Sequence, residues 1–485
     1  MRISDWFFYF VLSFLLGILL ASLKINFLIV IGFVFLLILI FLILQKQKII
    51  PQTKKWLFVP LFVIVAFFYY HLDLVIFQKN NFILFNQMLN FSGMVLNHPT
   101  IQNNFQEIEV KLMPPQRGKI LVKLSRYPTV SYGDILDFNG VIKPLSSETK
   151  YLIKERINGV SLFPKFFIRK QNAGSFIKAA LFKLNDKISQ IFNQFLPSEE
   201  AGFLSGLTFG ERANFSPSFK KALSLSGTTH LVALSGYNIS IIILATMGLF
   251  SFFFSRRLSF FLTILLIIGF VLMTGASSSV VRAAIMGGLA LLAKEIGRPH
   301  SIRNAIVFSA FLMVIFNPQI LVFDIGFELS FLALLGIVYL KPAMIKFFSL
   351  SEKPGFLSWR ENLLTTASAQ LAVMPILISY FGLFSLTSLL ANVIILEFIP
   401  LTMFLGFLMV GISFISFFST LISWLVSIFL KLEIIIINVF SQLVIPLPLS
   451  KNTSFIFFLI YYLFLLAFIF YAQKIHQPIL AEAQK

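Results

Sequence analysis

The chain contains no cysteine. That excludes disulfides, thiolate nucleophiles and cysteine-ligated metals in any compartment. Histidine is scarce, with five residues at His71, His98, His230, His300 and His476 spread over 485 positions. They form no HxxEH, HExxH or HxHxD cluster, so neither a metal nor any other cofactor is expected. The GxxxxGK[ST] phosphate loop is also missing, which excludes ATP hydrolysis by that route. Charge is the last shortage: 12% of residues are Asp, Glu, Lys or Arg, against 58% hydrophobic and 16% aromatic. This balance lies outside that of soluble domains and implies a membrane protein.

In place of charge there are long apolar runs, among them Trp6–Leu23, Ile25–Leu44, Trp56–Tyr70, Leu258–Thr274, Phe323–Leu340 and Phe455–Tyr471. About 11 or 12 bilayer spans fit the chain. The first run is followed by no small-residue cleavage site before the second begins, so it reads as a retained helix. Net charge is +19, and its distribution separates two causes. The loop "QKQKIIPQTKK" (45–55) holds four lysines and no acid, which places it and both termini in the cytoplasm by the positive-inside rule. Counting spans forward then puts Arg256–Arg257, Lys294–Arg303 and Lys341–Arg360 on the same side. Region 78–172 falls on the opposite, extracytoplasmic side. It carries 13 basic residues against 6 acids, an excess that topology does not explain.

Region 78–172 also changes texture. Alternating segments such as "FQEIEVKL" (105–112), "KILVKLS" (119–125) and "DILDFNGVIKP" (134–144), flanked by "FSGMVL" (91–96) and "GVSLFPKF" (159–166), predict five short strands. A five-stranded OB-like barrel is the preferred architecture, with a β-sandwich fragment as the alternative. The amphipathic stretch "GSFIKAALFKLNDKISQIF" (174–192) is expected to lie in the membrane interface. The resulting plan has N-terminal transmembrane helices (1–77), the β domain (78–172), an interfacial helix (173–198), a transmembrane channel domain (199–475) and a cytoplasmic tail (476–485).

Within the membrane block, a charge at the bilayer centre costs roughly 2.5–3.5 kcal/mol on translocon scales, so each one needs a partner or a wet cavity. Arg282 follows Ser277, Ser278 and Ser279 at the start of a span. Asp324 and Glu328 stand four apart, on one helix face. They are structural ion-pair candidates for Arg282. The stretch "HLVALSGYNIS" (230–240) sets His230, Ser235, Gly236 and Asn238 in an otherwise apolar sequence, and unwound backbone at membrane depth is tolerated only beside protein or water. On a helix His230 and Ser235 would stand roughly 140° apart, so a Ser–His nucleophile pair is disfavoured.

At these residues the sequence resembles the ComEC competence family, the inner-membrane channel for DNA uptake in natural transformation. The segment "GLTFGERANFSPSFKKALSLSGTTHLVALSGYNISII" (206–242) is similar to that family's core. The segments "LMTGASSSVVRAAIMGGLALLA" (272–293), "NPQILVFDIGFELSFLALLGIVYL" (317–340) and "AQLAVMPILISYFGLFSLTSLLANVIILEFIPL" (369–401) resemble its later motifs in order. Region 91–168 resembles its OB-like domain. Many family members have histidine where this chain has Asn238, and many carry a C-terminal metallo-β-lactamase-like domain, which this chain is expected to lack. The resemblance implies a non-enzymatic, multi-pass inner-membrane channel that imports single-stranded DNA. It also implies a DNA receptor outside, a helicase-like ATPase in the cytoplasm, and a separate nuclease where one acts. Phe91, Phe105, Tyr127, Tyr132 and Phe138 are candidates for stacking bases. The candidate channel residues are His230, Ser235, Gly236, Asn238, Ser277, Ser278, Ser279, Arg282, Gln370 and Asn392. Two other readings remain open: a transporter or flippase for an anionic lipid-linked or small solute, and an intramembrane serine hydrolase using Ser235.

Overall fold

A computed structural model describes residues 3–47, 58–101, 104–211, 215–299, 301–349, 359–381, 387–443 and 455–475. Lys48, Lys54, Lys55, His300, His476 and the tail 476–485 lie outside the described residues. Three helices come first, α1 (Ile3–Ser22), α2 (Phe27–Lys46) and α3 (Leu61–Lys79). Gly17 lets α1 and α3 touch, since a Cβ there would stand 2.3 Å from the Val63 carbonyl oxygen.

The strands follow: β1 (Met88–Val95), β2 (Thr100–Ile101), β3 (Phe105–Leu112), β4 (Lys119–Ser125), β5 (Ile135–Pro144), β6 (Gly159–Leu162) and β7 (Lys165–Lys170). Five of them close a ring in the order β1–β3–β4–β6–β5–β1, parallel at β4–β6 and antiparallel elsewhere. This is the OB-like barrel predicted from the alternation. The inward residues of each strand, including Phe91, Ile108, Val110, Ile120, Val122, Leu124, Leu136, Phe138 and Ile142, form one core. Burying each is worth about 1.5–3 kcal/mol for a side chain of this size. β1 changes partner from β5 to β3 around Gly93, where a Cβ would meet Val110 at 2.3 Å. The segment 159–166, predicted as a single flank, is two strands parted at Phe163, whose φ is +51°. β7 pairs with β5 outside the ring, and β2 adds to β3. A 3-10 turn (Ser147–Glu155) bridges β5 and β6.

The remaining helices are α4 (Phe176–Phe195), α5 (Ser198–Phe209), α6 (Pro217–Leu225), α7 (Gly236–Phe253), α8 (Arg256–Met273), α9 (Ser278–Glu295), α10 (Ile302–Phe316), α11 (Ile320–Phe323), α12 (Ile325–Leu335), α13 (Lys341–Phe347), α14 (Trp359–Phe381), α15 (Thr387–Gly411), α16 (Ser416–Gln442) and α17 (Phe455–Ile475). A π-helical turn (Gly336–Leu340) joins α12 to α13. Among the described residues, seven segments are long and apolar enough to cross a membrane, and four shorter apolar helices accompany them. The protein is a multi-pass membrane protein. With the shorter helices counted, the described residues hold eleven apolar helices, the lower of the two expected numbers.

Contacts divide the chain into two units, one of residues Met1–Leu184 with Thr246–Phe327, the other of Asn185–Ala245 with Glu328–Lys485. In the first, Phe182 of α4 is buried while Phe176 and Ile177 are exposed; in the second, Ile188 and Phe192 of the same helix are buried. α5 is the most enclosed helix, with every residue from Glu200 to Phe209 buried.

Candidate functional site

The stretch 230–235 is not helical; α7 begins at Gly236. Ser235 acts as its N-cap: the Ser235 hydroxyl donates to the Asn238 side-chain oxygen at 3.1 Å and accepts from the Asn238 backbone N–H at 3.4 Å. The Asn238 amide in turn donates to the Leu207 carbonyl of α5 at 2.9 Å. That carbonyl lies in the last turn of α5, where helical partners run out. Asn238 is 2% exposed, so its place is inside the protein. Nδ1 of His230 is 3.2 Å from the Gly227 carbonyl oxygen. Ser235 is thus engaged as the cap of its own helix.

Gln370 of α14 and Asn392 of α15 belong to the same unit. The Gln370 amide donates to the Ser388 hydroxyl at 2.9 Å. Ser388 packs against Gly227, where a Cβ would sit 2.4 Å from Ser388 Cβ and where φ is +68°. Asn392, one turn beyond Ser388, is 0% exposed, and neither polar atom of its amide has a hydrogen-bond partner among the described residues. An unsatisfied buried amide costs about 1–3 kcal/mol. Two proline kinks lie nearby in sequence. Pro375 and Pro400 each free the carbonyl four residues earlier, Leu371 and Leu396. Both carbonyls are recovered by tyrosine hydroxyls, Tyr461 donating to Leu371 at 2.8 Å and Tyr237 to Leu396 at 3.4 Å.

In the other unit, Ser277 precedes α9 and is exposed, Ser278 and Ser279 open that helix half-buried, and Arg282 lies one turn further in, 9% exposed. Asp324 is not on a helix face shared with Glu328. It is extended, with φ −110° and ψ 98°, between α11 and α12. The break follows from its side chain, which accepts from the Gly326 N–H at 2.9 Å and so caps α12 instead of continuing α11. Lys154 lies 3.3 Å from the same oxygen, and the Ser278 hydroxyl donates to the other. Beside it, Arg156 reaches Asp73 at 2.9 Å and Asn317 at 3.4 Å, while the Asn317 amide donates to the Lys154 carbonyl at 2.7 Å. These contacts fasten the 3-10 turn of the barrel domain to α3 and to the loop before α11. Asp324 is therefore a joint between barrel and helices, a role its sequence position gave no hint of. Burial, and then Glu109, push the neighbouring Glu155 carboxyl up, against the opposite pull of Lys154 and Lys119.

Sequence reasoning passed over two carboxylates in the second unit. Glu433 of α16 is 0% exposed; one oxygen accepts from the Thr402 hydroxyl of α15 at 2.7 Å and the other has no partner among the described residues. Glu200 of α5 is 5% exposed, with Lys431 at 3.9 Å. The signal for Glu433 was present, a lone acid in "KLEIIIIN".

The candidate stacking aromatics separate into groups. Phe91 and Phe138 stack on each other inside the barrel with centroids 5.0 Å apart; they fill the core. Tyr132 packs edge-on against Phe182. Phe105 meets Phe163 edge-on with Lys123 above its ring, and Tyr127 is 68% exposed beside Arg126. On the outer face of β3 and β4, Lys119 pairs with Glu109 at 2.5 Å and Lys123 with Glu107 at 3.6 Å, which cancels much of that face's charge.

The sequence model of the family described as "Competence protein" matches residues 207–475, more than half of the chain. The chain belongs to the competence protein family. The matched region begins in α5 and takes in the Ser235–Asn238 cap, Arg282, Asp324, the proline kinks and Glu433. Among curated proteins, ComE operon protein 3 of Bacillus subtilis (strain 168) is 29% identical over 262 residues, covering 51% of this chain and 32% of the relative. The match thus spans about a third of that relative's length. No solved structure matches the chain.

Proposed function

We propose that this competence-family protein imports a single DNA strand across the cytoplasmic membrane during natural transformation. The family match over residues 207–475 is the observation that carries the reading. The barrel region, with 13 basic residues against 6 acids, suits it: a polyanion gains from counterion release on such a surface. In this reading the barrel faces outward, both termini face the cytoplasm, and the Lys154–Asp324 and Arg156–Asp73 joint keeps the barrel in register with the helices. The residues proposed to meet a strand are Arg282 in one unit and, in the other, uncharged groups such as Gln370 and Asn392, which permit sliding. A DNA receptor outside, a cytoplasmic helicase-like ATPase to supply energy, and a separate nuclease where one acts complete the proposal. Its test is DNase-protected uptake of end-labelled DNA in cells with the gene deleted, restored, or restored as Arg282→Ala. Loss of uptake on deletion with surface binding retained is expected, and Arg282→Ala should lower entry more than binding. Unchanged uptake on deletion would overturn the reading in favour of solute transport.

A further inference from the structure

The outward face of β1, β5 and β7 differs in kind from the charge-cancelled face of β3 and β4. Register sets Asn90, Asn139 and Lys165 side by side in one row, and Ser92, Asp137 and Phe167 in the next. These rows line an open groove of 490 Å³. β7 lies outside the closed ring, so the Phe167 side chain is not needed to fill the core, and it is 65% exposed. The ring is therefore free to contact a ligand lying in the groove.

The polar groups around it are ordered. The Asn139 amide donates to the Asn90 side-chain oxygen at 2.6 Å, which leaves the Asn90 N–H donors and the Asn139 oxygen to offer outward. Asp137 accepts from the Ser92 hydroxyl at 2.5 Å and from Arg169 Nε at 2.8 Å. The carboxylate is thereby satisfied and holds Arg169 in place, with the terminal nitrogens of the guanidinium still to be used. Two cations, Lys165 and Arg169, thus face one acid. A flat aromatic ring, cations at its sides and a donor–acceptor amide pair together match an unpaired nucleotide: base on ring, phosphates on cations, base edge on amides. A duplex keeps its base faces stacked and offers nothing to Phe167. A lipid headgroup could use the cations and the amide pair but brings no flat base for the Phe167 ring.

We propose that the groove between β1, β5 and β7 is a binding subsite for single-stranded nucleic acid, with Phe167 stacking on a base and Lys165 and Arg169 holding adjacent phosphates. This rests on the DNA-import reading and names the surface by which the barrel takes the strand. The test uses the full chain in nanodiscs and a fluorescein-labelled oligothymidylate, followed by anisotropy over a range of salt. Phe167→Ala is expected to weaken binding about 5- to 100-fold, the loss typical of one base–aromatic stack. Lys165→Ala should reduce the slope of log K against log salt by about 0.7, one phosphate's worth on a single strand. Phe167→Trp keeps the stack and should bind at least as well as the parent, which separates stacking from damage to the fold.

Unchanged affinity in Phe167→Ala, with loss in Phe105→Ala or Lys123→Ala, would overturn the groove and leave the import reading standing. No oligonucleotide binding by the parent would overturn the groove together with DNA capture by the barrel, while uptake in cells separately decides the import reading. The Phe167→Trp protein also reports the occupant. Relative to the parent, its emission should change with oligonucleotide; a response only to brominated phosphatidylglycerol in the disc would make the groove a lipid contact instead.

Discussion

Asp324 and Glu433 are both carboxylates buried in a largely apolar chain, at 3% and 0% exposure, and they are held in opposite ways. Asp324 accepts from a serine hydroxyl and a backbone N–H and has a lysine at ion-pair distance. Glu433 has one hydroxyl donor and, among the described residues, nothing on its second oxygen. Three donors offset the desolvation of an ionised group, and one does not. The difference teaches that the first carboxylate fastens parts together, whereas the second is tied to one neighbouring helix through a single hydroxyl.

The strongest way to break this comparison is to remove each group. Asp324→Leu strands Lys154, Ser278 and the Gly326 N–H and should cost about 3 kcal/mol, seen as a large fall in thermal unfolding temperature in detergent. Adding Lys154→Met should recover part of that loss. Glu433→Gln keeps an acceptor for Thr402 and should change stability by less than about 1 kcal/mol while altering uptake. Equal destabilisation by the two would erase the distinction. Next in size, Asn238→Ala leaves the Leu207 carbonyl unpaired and should cost about 2 kcal/mol by the same measurement. Tyr461→Phe should cost about 1 kcal/mol by exposing the Leu371 carbonyl, and Tyr237→Phe less, because its bond is 3.4 Å long.

The smallest effect concerns pH. The Glu155 carboxyl is raised in the folded protein, so the neutral acid is favoured there. Its contribution to stability is full below the ordinary value of 4.5 and is lost as pH rises through the raised value. A shallow decline in unfolding temperature over that window should flatten in Glu155→Gln. A decline that persists unchanged would assign the dependence to another group.

The barrel was legible because its signal is local. Alternation in 105–112 and 119–125 is burial read every second residue, and the strands fall on those residues. The apolar runs likewise announce helices. What the sequence concealed is partnership. Lys154 and Asp324 lie 170 positions apart, and no pattern in either segment points to the other. Asp324 and Glu328 have the spacing of one helix face, yet the Asp324 side chain captures a backbone N–H and ends the helix. Ser235 and Asn238 read in the sequence as isolated polar residues, and nothing there shows that they cap α7 and tie it to the Leu207 carbonyl. Phe91 and Phe138, candidates for stacking bases by sequence, fill the barrel core instead, because an even–odd count alone does not say which face of a strand is inside.

The enclosure of α5 has a consequence for how the chain is made. Ten consecutive residues, Glu200 to Phe209, are buried, and α15 and α16 are among the helices that cover them. Synthesis delivers α5 nearly two hundred residues before those helices leave the ribosome. During that interval its glycines, Ser205 and Glu200 have no finished pocket to enter. A chain truncated ahead of residue 387 should therefore leave α5 open to protease, and insertion of the later helices should close it.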